Sequence, residues 1–85
     1  MRIATFSIVG FEAETRTWGV AVASRFLSVG AYVPYARAGA GAIATQALAN
    51  LAYGSDGLAL LAAGKSATDV ARALTAADPG RDARQ

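Results

Sequence analysis

Apolar and polar positions alternate along two short stretches near the start of the chain. In the first, Ala4, Phe6 and Ile8 fall on one side while Thr5, Ser7 and Val9 fall on the other. In the second, Trp18, Val20, Val22 and Ser24 share one side, with Gly19, Ala21, Ala23 and Arg25 opposite. A period of two is the mark of a β-strand, whose side chains point to alternate faces. Glu12-Ala13-Glu14-Thr15-Arg16 between them is polar, as a solvated connection should be, so residues 3–25 read as a β-hairpin. The open end of this hairpin gathers small polar groups on otherwise apolar strands: Thr5 and Ser7 on one, Ser24 and Arg25 on the other. Two readings stand here. Hydroxyl and small residues suit a strand and a solvated strand end, or they form a site.

Beyond Arg25, residues 26–30 read as a loop and residues 31–36 as a short strand that Pro34, lacking an N–H, confines to an edge or breaks. After a turn at Arg37-Ala38-Gly39, Gly41–Thr45 is a small-residue strand, giving a strand pair over about 31–46. Gly39-Ala40-Gly41 invites a phosphate-loop reading, but it is not GxGxxG and no Walker lysine follows, which favours close backbone packing. The last third turns helical, over about 55–78. Ser55-Asp56 is placed to cap a helix through Leu58 and Leu61 that stops at Gly64. Ser66 with Asp69 resembles a capping pair opening a second helix, with Val70, Leu74 and Ala77 on one stripe, ended by Asp78-Pro79-Gly80. Arg81–Gln85 is polar, and a new strand is expected to begin there. Two β-pairs followed by two helices predict an α+β fold, with helices packed on one face of a mostly antiparallel sheet.

Composition sharpens the picture in three ways. With 54% hydrophobic and 16% charged residues in a chain of 85, there is more apolar surface than a small free-standing domain can bury. The chain therefore reads as part of something larger, a subunit, a processed chain or a fragment, its apolar faces covered by the remainder of the domain or by a second chain. There is no cysteine and no histidine, which removes disulfides, thiolate zinc sites, cysteine nucleophiles and any Ser-His-Asp triad within the chain. A hydroxyl nucleophile would have to take its base from an amine, from Lys65, or from a partner. The net charge of +2 forms no basic stripe, so nucleic acid is not an expected partner. The uncharged run between Arg37 and Asp56 holds Thr45, Gln46, Asn50 and three glycines and falls short of the roughly 20 apolar residues that a bilayer needs. Neither a membrane span nor a signal peptide is expected, and the location expected is cytoplasmic. Gln46 and Asn50, lying in an apolar stretch, must find partners: they cap a helix and bridge strands, or they line a pocket. Trp18, Tyr32, Tyr35 and Tyr53 follow strand positions without accompanying charge and read as packing residues.

Thr5-Phe6-Ser7-Ile8-Val9, Gly19 through Phe26, Val29-Gly30-Ala31, Val33 through Gly39, Gly41 through Ala47, Ala52-Tyr53-Gly54 and Ala77 through Arg81 together resemble an uncharacterised bacterial and archaeal family, domain of unknown function 1028. That family is placed among proteins similar to the N-terminal-nucleophile (Ntn) hydrolases, and its members are usually more than twice this long. The resemblance implies an Ntn-hydrolase-like four-layer α-β-β-α sandwich, of which this chain supplies the first strands and a helix pair. It further implies hydrolysis of a non-peptide or small-peptide amide, without cofactor or metal, in a homo-oligomer. By position, Thr5 would be the nucleophile, its own α-amine the base once Met1-Arg2-Ile3-Ala4 is removed. Ser24 and Arg25 fall where the superfamily keeps an orienting carboxylate and a basic neighbour, and Thr45-Gln46 where a backbone N–H meets the oxyanion. Two positions depart from that pattern. Ala31-Tyr32 stands where proteasome-like members carry a lysine, and Ser24 where an Asp is expected, which keeps open a non-catalytic binding or assembly module on the same fold.

Overall fold

A computed structural model describes residues 4–85. Strand β1 (Thr5–Glu12) pairs antiparallel with β2 (Thr17–Ser24) in the register Thr5 to Ser24, Ser7 to Val22, Val9 to Val20 and Phe11 to Trp18. Facing residues share a side, so Thr5, Ser7, Val9 and Phe11 lie on one face with Ser24, Val22, Val20 and Trp18. That face turns inward. The other carries Phe6 and Ile8, which are 72% and 70% exposed. The hairpin expected over 3–25 is thus present over 5–24, Ile3 lying outside the described residues. The connection is a four-residue turn, tied where the Glu12 carboxylate accepts the Glu14 N–H at 2.8 Å.

Strand β3 (Pro34–Arg37) pairs antiparallel with β4 (Gly41–Ala44) as a second two-stranded ribbon. The stretch from Ala31 was expected to be strand, but Val29–Ala31 is a 3-10 turn and the strand starts at Pro34. Proline's missing N–H is harmless at the first residue of a strand. Residues 38–40 form a tight turn between β3 and β4, with the Ala40 N–H donating to the Arg37 carbonyl at 3.1 Å. No helix follows it, so the phosphate-loop geometry is not built.

Helix α1 (Ala52–Ala62) begins three residues before the expected Ser55-Asp56 cap. The side chain that satisfies its first turn is Asn50, whose Oδ1 accepts the Ala52 N–H at 3.1 Å. The C-terminal end matches expectation. Gly64 adopts φ +92°, its N–H donates to Leu61 and the Lys65 N–H to Leu60, the paired bonds of a Schellman stop. Helix α2 (Ala67–Ala76) opens on Ser66, whose Oγ accepts the Asp69 N–H at 3.1 Å. Ser66→Ala is expected to lower stability by about 1 kcal/mol, read as a shifted denaturant midpoint at unchanged slope.

The helices cover the ribbon on the face that carries Tyr35 and Ile43. α1 crosses there on Gly54 and Gly57, close enough that a Cβ at Gly54 would run into the Tyr35 ring, and one at Gly57 into the Ile43 side chain. Val70 from α2 completes this contact and is buried. The hairpin sits beside the ribbon and its inward face is only half covered: Val9 keeps 41% exposure. Between Val9 and Trp18 on one side and Ile43, Leu61, Val70 and Leu74 on the other runs an apolar cleft of about 520 Å³. The chain closes by doubling back. After a 3-10 turn at Arg81–Ala83, Arg84 bridges Ala47 in antiparallel fashion, as an incipient strand would. The architecture is α+β, two antiparallel ribbons and a helix pair, as expected in outline.

Candidate functional site

The hydroxyls predicted to meet at the open end of the hairpin do meet there. Thr5 Oγ1 and Ser24 Oγ share a hydrogen bond of 2.7 Å, made possible by their direct pairing in the register. Ser24 Oγ also accepts the Phe26 N–H at 3.0 Å, fixing the chain where it leaves β2. One pleat along, Ser7 Oγ donates to Gln46 Oε1 at 2.7 Å. Gln46 Nε2 donates to the Thr5 carbonyl at 3.1 Å and to Gln85 Oε1 at 3.0 Å. The Gln46 carboxamide is therefore a buried crosslink between the first strand and the last residues described. Gln46 fits both of its readings, bridging the strands through its carboxamide and lining a cleft beside Thr5, while Asn50 caps α1.

Arg25 follows β2 in a bend and is exposed, and no hydrogen bond among the described residues ties it to this cluster. Thr45 is buried, and its Oγ1 has no hydrogen-bond partner among the described residues. The Thr45 N–H donates to the Val33 carbonyl at 3.1 Å and the Gln46 N–H to the Gln85 carbonyl at 2.8 Å. An oxyanion needs open donors. In this arrangement both amides are engaged by backbone carbonyls.

Thr5 and Gln46 line a second cleft, of about 370 Å³, whose walls are Phe26, Tyr32, Leu48 and Leu51. It is smaller than the apolar cleft under the helices, yet it is the one that reaches the hydroxyl cluster. Phe26 and Tyr32 meet edge to face with ring centres 5.7 Å apart. Ala47, on the cleft lining, holds φ +68°, a left-handed conformation that costs a residue with a Cβ roughly 1 kcal/mol and is often found at functional sites.

A polar knot absent from the sequence reading sets the position of Gln85. Asp78, buried at the end of α2, accepts from Arg84 Nε at 2.9 Å and from Arg84 Nη2 at 3.2 Å. It also takes the Tyr53 hydroxyl at 2.6 Å, the Gly80 N–H at 2.8 Å and Asn50 Nδ2 at 3.4 Å. Arg84 Nη1 reaches on to the Leu48 carbonyl at 2.7 Å. Asp78-Pro79-Gly80 had read as a plain helix stop and Arg84 as part of a polar tail. A carboxylate and a guanidinium separated by a proline-glycine turn was the available signal. Tyr53, read as packing, is also a donor.

Arg84 first, then the Tyr53 hydroxyl, holds the Asp78 carboxyl well below the usual carboxylate range. The same hydrogen bond holds the Tyr53 phenol protonated, its pKa raised. A depressed carboxyl contributes stability above its unfolded value, near 3.9, which is lost as pH falls toward the folded value. A raised phenol contributes below its unfolded value, near 10, and loses that contribution as pH rises through the folded value. Urea midpoints should therefore fall steadily below about pH 4, and Asp78→Asn should flatten that acid limb. An unchanged acid limb in the variant would place the knot's charge elsewhere.

Among the described residues no three or more acidic, histidine or cysteine side chains gather to hold a metal. No helix is long and apolar enough to cross a membrane, again among the described residues.

Paired antiparallel ribbons backed by two helices, with a hydroxyl and carboxamide cluster where the first strand opens onto a cleft, define a small α+β protein with a polar site at its leading strand. The chain belongs to the DUF1028 family, a family of unknown function, whose model matches residues 5–85. It is similar to a crystal structure of a DUF1028 protein from Silicibacter pomeroyi, with a TM-score of 0.91 and 34% identity. The match covers 96% of this chain and 38% of that one, so the chain spans well under half the length of this relative. No curated protein matches it.

Proposed function

We propose that this chain is the leading part of an Ntn-hydrolase-like four-layer sandwich that hydrolyses a small amide, with Thr5 as an N-terminal nucleophile. The observation that carries the proposal is the Thr5 hydroxyl on the first strand, 2.7 Å from Ser24 Oγ and lining a cleft. Thr5 Oγ attacks the amide carbonyl while the Thr5 α-amine, freed by removal of Met1–Ala4, takes its proton. The amine then returns that proton to the departing nitrogen, leaving an ester on Thr5, and water hydrolyses the ester to regenerate the hydroxyl. Ser24 orients the hydroxyl, and Gln46, held by Ser7 and Gln85, fixes the carbonyl of the same residue. Arg25 takes no step in this scheme. The rest of the domain or a second copy, in a homo-oligomer in the cytoplasm, covers the outward Phe6 and Ile8.

The test is the intact mass and N-terminal sequence of every chain in the purified protein. A mature chain beginning at Thr5 supports the mechanism; one retaining Met1–Ala4 ends it. The second reading, a non-catalytic binding module, is favoured by one observation: no titratable side chain hydrogen-bonds the Thr5–Ser24 pair among the described residues. It predicts a retained N-terminus and ligand binding without turnover.

A further inference from the structure

We propose that the cleft beside Thr5 is an acyl-binding site for an uncharged, apolar group, so that the amide it takes carries an aromatic or aliphatic acyl arm. The substrate class rests on the hydrolase reading above, whereas the binding site does not. The cleft has about 370 Å³, within the range of small-molecule sites. One end is polar, with the Thr5 hydroxyl and the Gln46 carboxamide; the walls are Phe26, Tyr32, Leu48 and Leu51. Phe26 and Leu48 remain 62% and 56% exposed although they line a concavity, so apolar surface is left for an occupant to cover. Phe26 and Tyr32 already hold an edge-to-face geometry, which leaves little ordering for a ligand to impose.

Charge decides the kind of occupant. Among the described residues Arg84 is the one charged residue on the cleft lining, and its guanidinium is ion-paired with Asp78 and tied to the Leu48 carbonyl. With that charge already neutralised, a carboxylate or ammonium arm would lose its hydration without finding a counter-ion. A neutral arm loses none and gains the apolar contact. The arm would lie on the aromatic wall, with its carbonyl at the Thr5 end.

Thr5→Val prevents turnover, and binding to that variant separates the two claims. By ligand-observed NMR titration, 2-phenylacetamide should bind it at least about tenfold more tightly than acetamide or a carboxylate-bearing phenylacetyl amide. Leu48→Glu, at a half-exposed position and with its fold checked by circular dichroism, should erase that preference. Equal affinity for the three probes, no binding of any, or an unchanged preference in Leu48→Glu overturns the inference. No binding in the full-length protein overturns it equally. If phenylacetamide binds but the processed protein never hydrolyses it or any other amide, the hydrolase reading falls while the cleft assignment stands. If only charged amides are hydrolysed, the reverse holds.

Discussion

On the proposed mechanism Thr5→Val is expected to abolish amide hydrolysis, lowering turnover by a factor on the order of 10⁴ or more, because among the described residues no other hydroxyl of the cluster can take its place. Ser24 and Ser7 carry hydroxyls in the same cluster, but both lie inside the chain and have no free amine of their own. Valine keeps the branched shape and the strand preference of threonine, so the fold around β1 should survive. Thr5→Ser restores a hydroxyl at the same atom and should retain a substantial fraction of the rate. Ser24→Ala removes the orienting partner together with the acceptor of the Phe26 N–H, leaves the nucleophile in place, and should cost less than Thr5→Val. The measurement is single-turnover hydrolysis of a panel of neutral amides, with the mass of each variant checked for removal of Met1–Ala4. Equal rates for wild type and Thr5→Val would end the proposal.

Gly54→Ala is expected to destabilise the fold by about 1–3 kcal/mol, against the direction that helix preference alone predicts. In an exposed helix interior the same change would gain up to about 1 kcal/mol. Here α1 lies directly on the Tyr35 ring, and the added methyl would overlap three ring atoms. The ring cannot retreat without moving β3, since its Cγ is among the atoms overlapped. Gly57→Ala meets mainly Ile43 Cδ1, the end of a flexible side chain that can swing away, and should cost distinctly less. Denaturant midpoints rank the pair. If Gly54→Ala is neutral or stabilising, the helix does not ride on the ribbon as described.

What the sequence determined by itself was local. The two-residue alternation placed Thr5 and Ser7 on one face and Ser24 on the facing strand, because side-chain direction along a strand depends only on the neighbouring residues. Ser66 and Gly64 were legible as a cap and a stop because their partners lie within five residues. The first helix was misjudged at its start because two candidates competed locally, Ser55-Asp56 and Asn50. Asn50 won through a position that Asp78, 28 residues away, helps to hold.

What only the tertiary structure decided involves partners far apart in the chain. Nothing in an alternating pattern says which face of the hairpin turns inward, and the face bearing Phe6 and Ile8, the more apolar to the eye, is the one left outside. Gln46 reaches Ser7 and Gln85 across 39 residues in each direction, and Arg84 reaches Leu48 across 36. Closing such loops costs chain entropy that no local preference repays. Only when α1 docks on the ribbon and Asp78 gathers Arg84 and Tyr53 do these groups meet, and with them the polar end of the cleft beside Thr5.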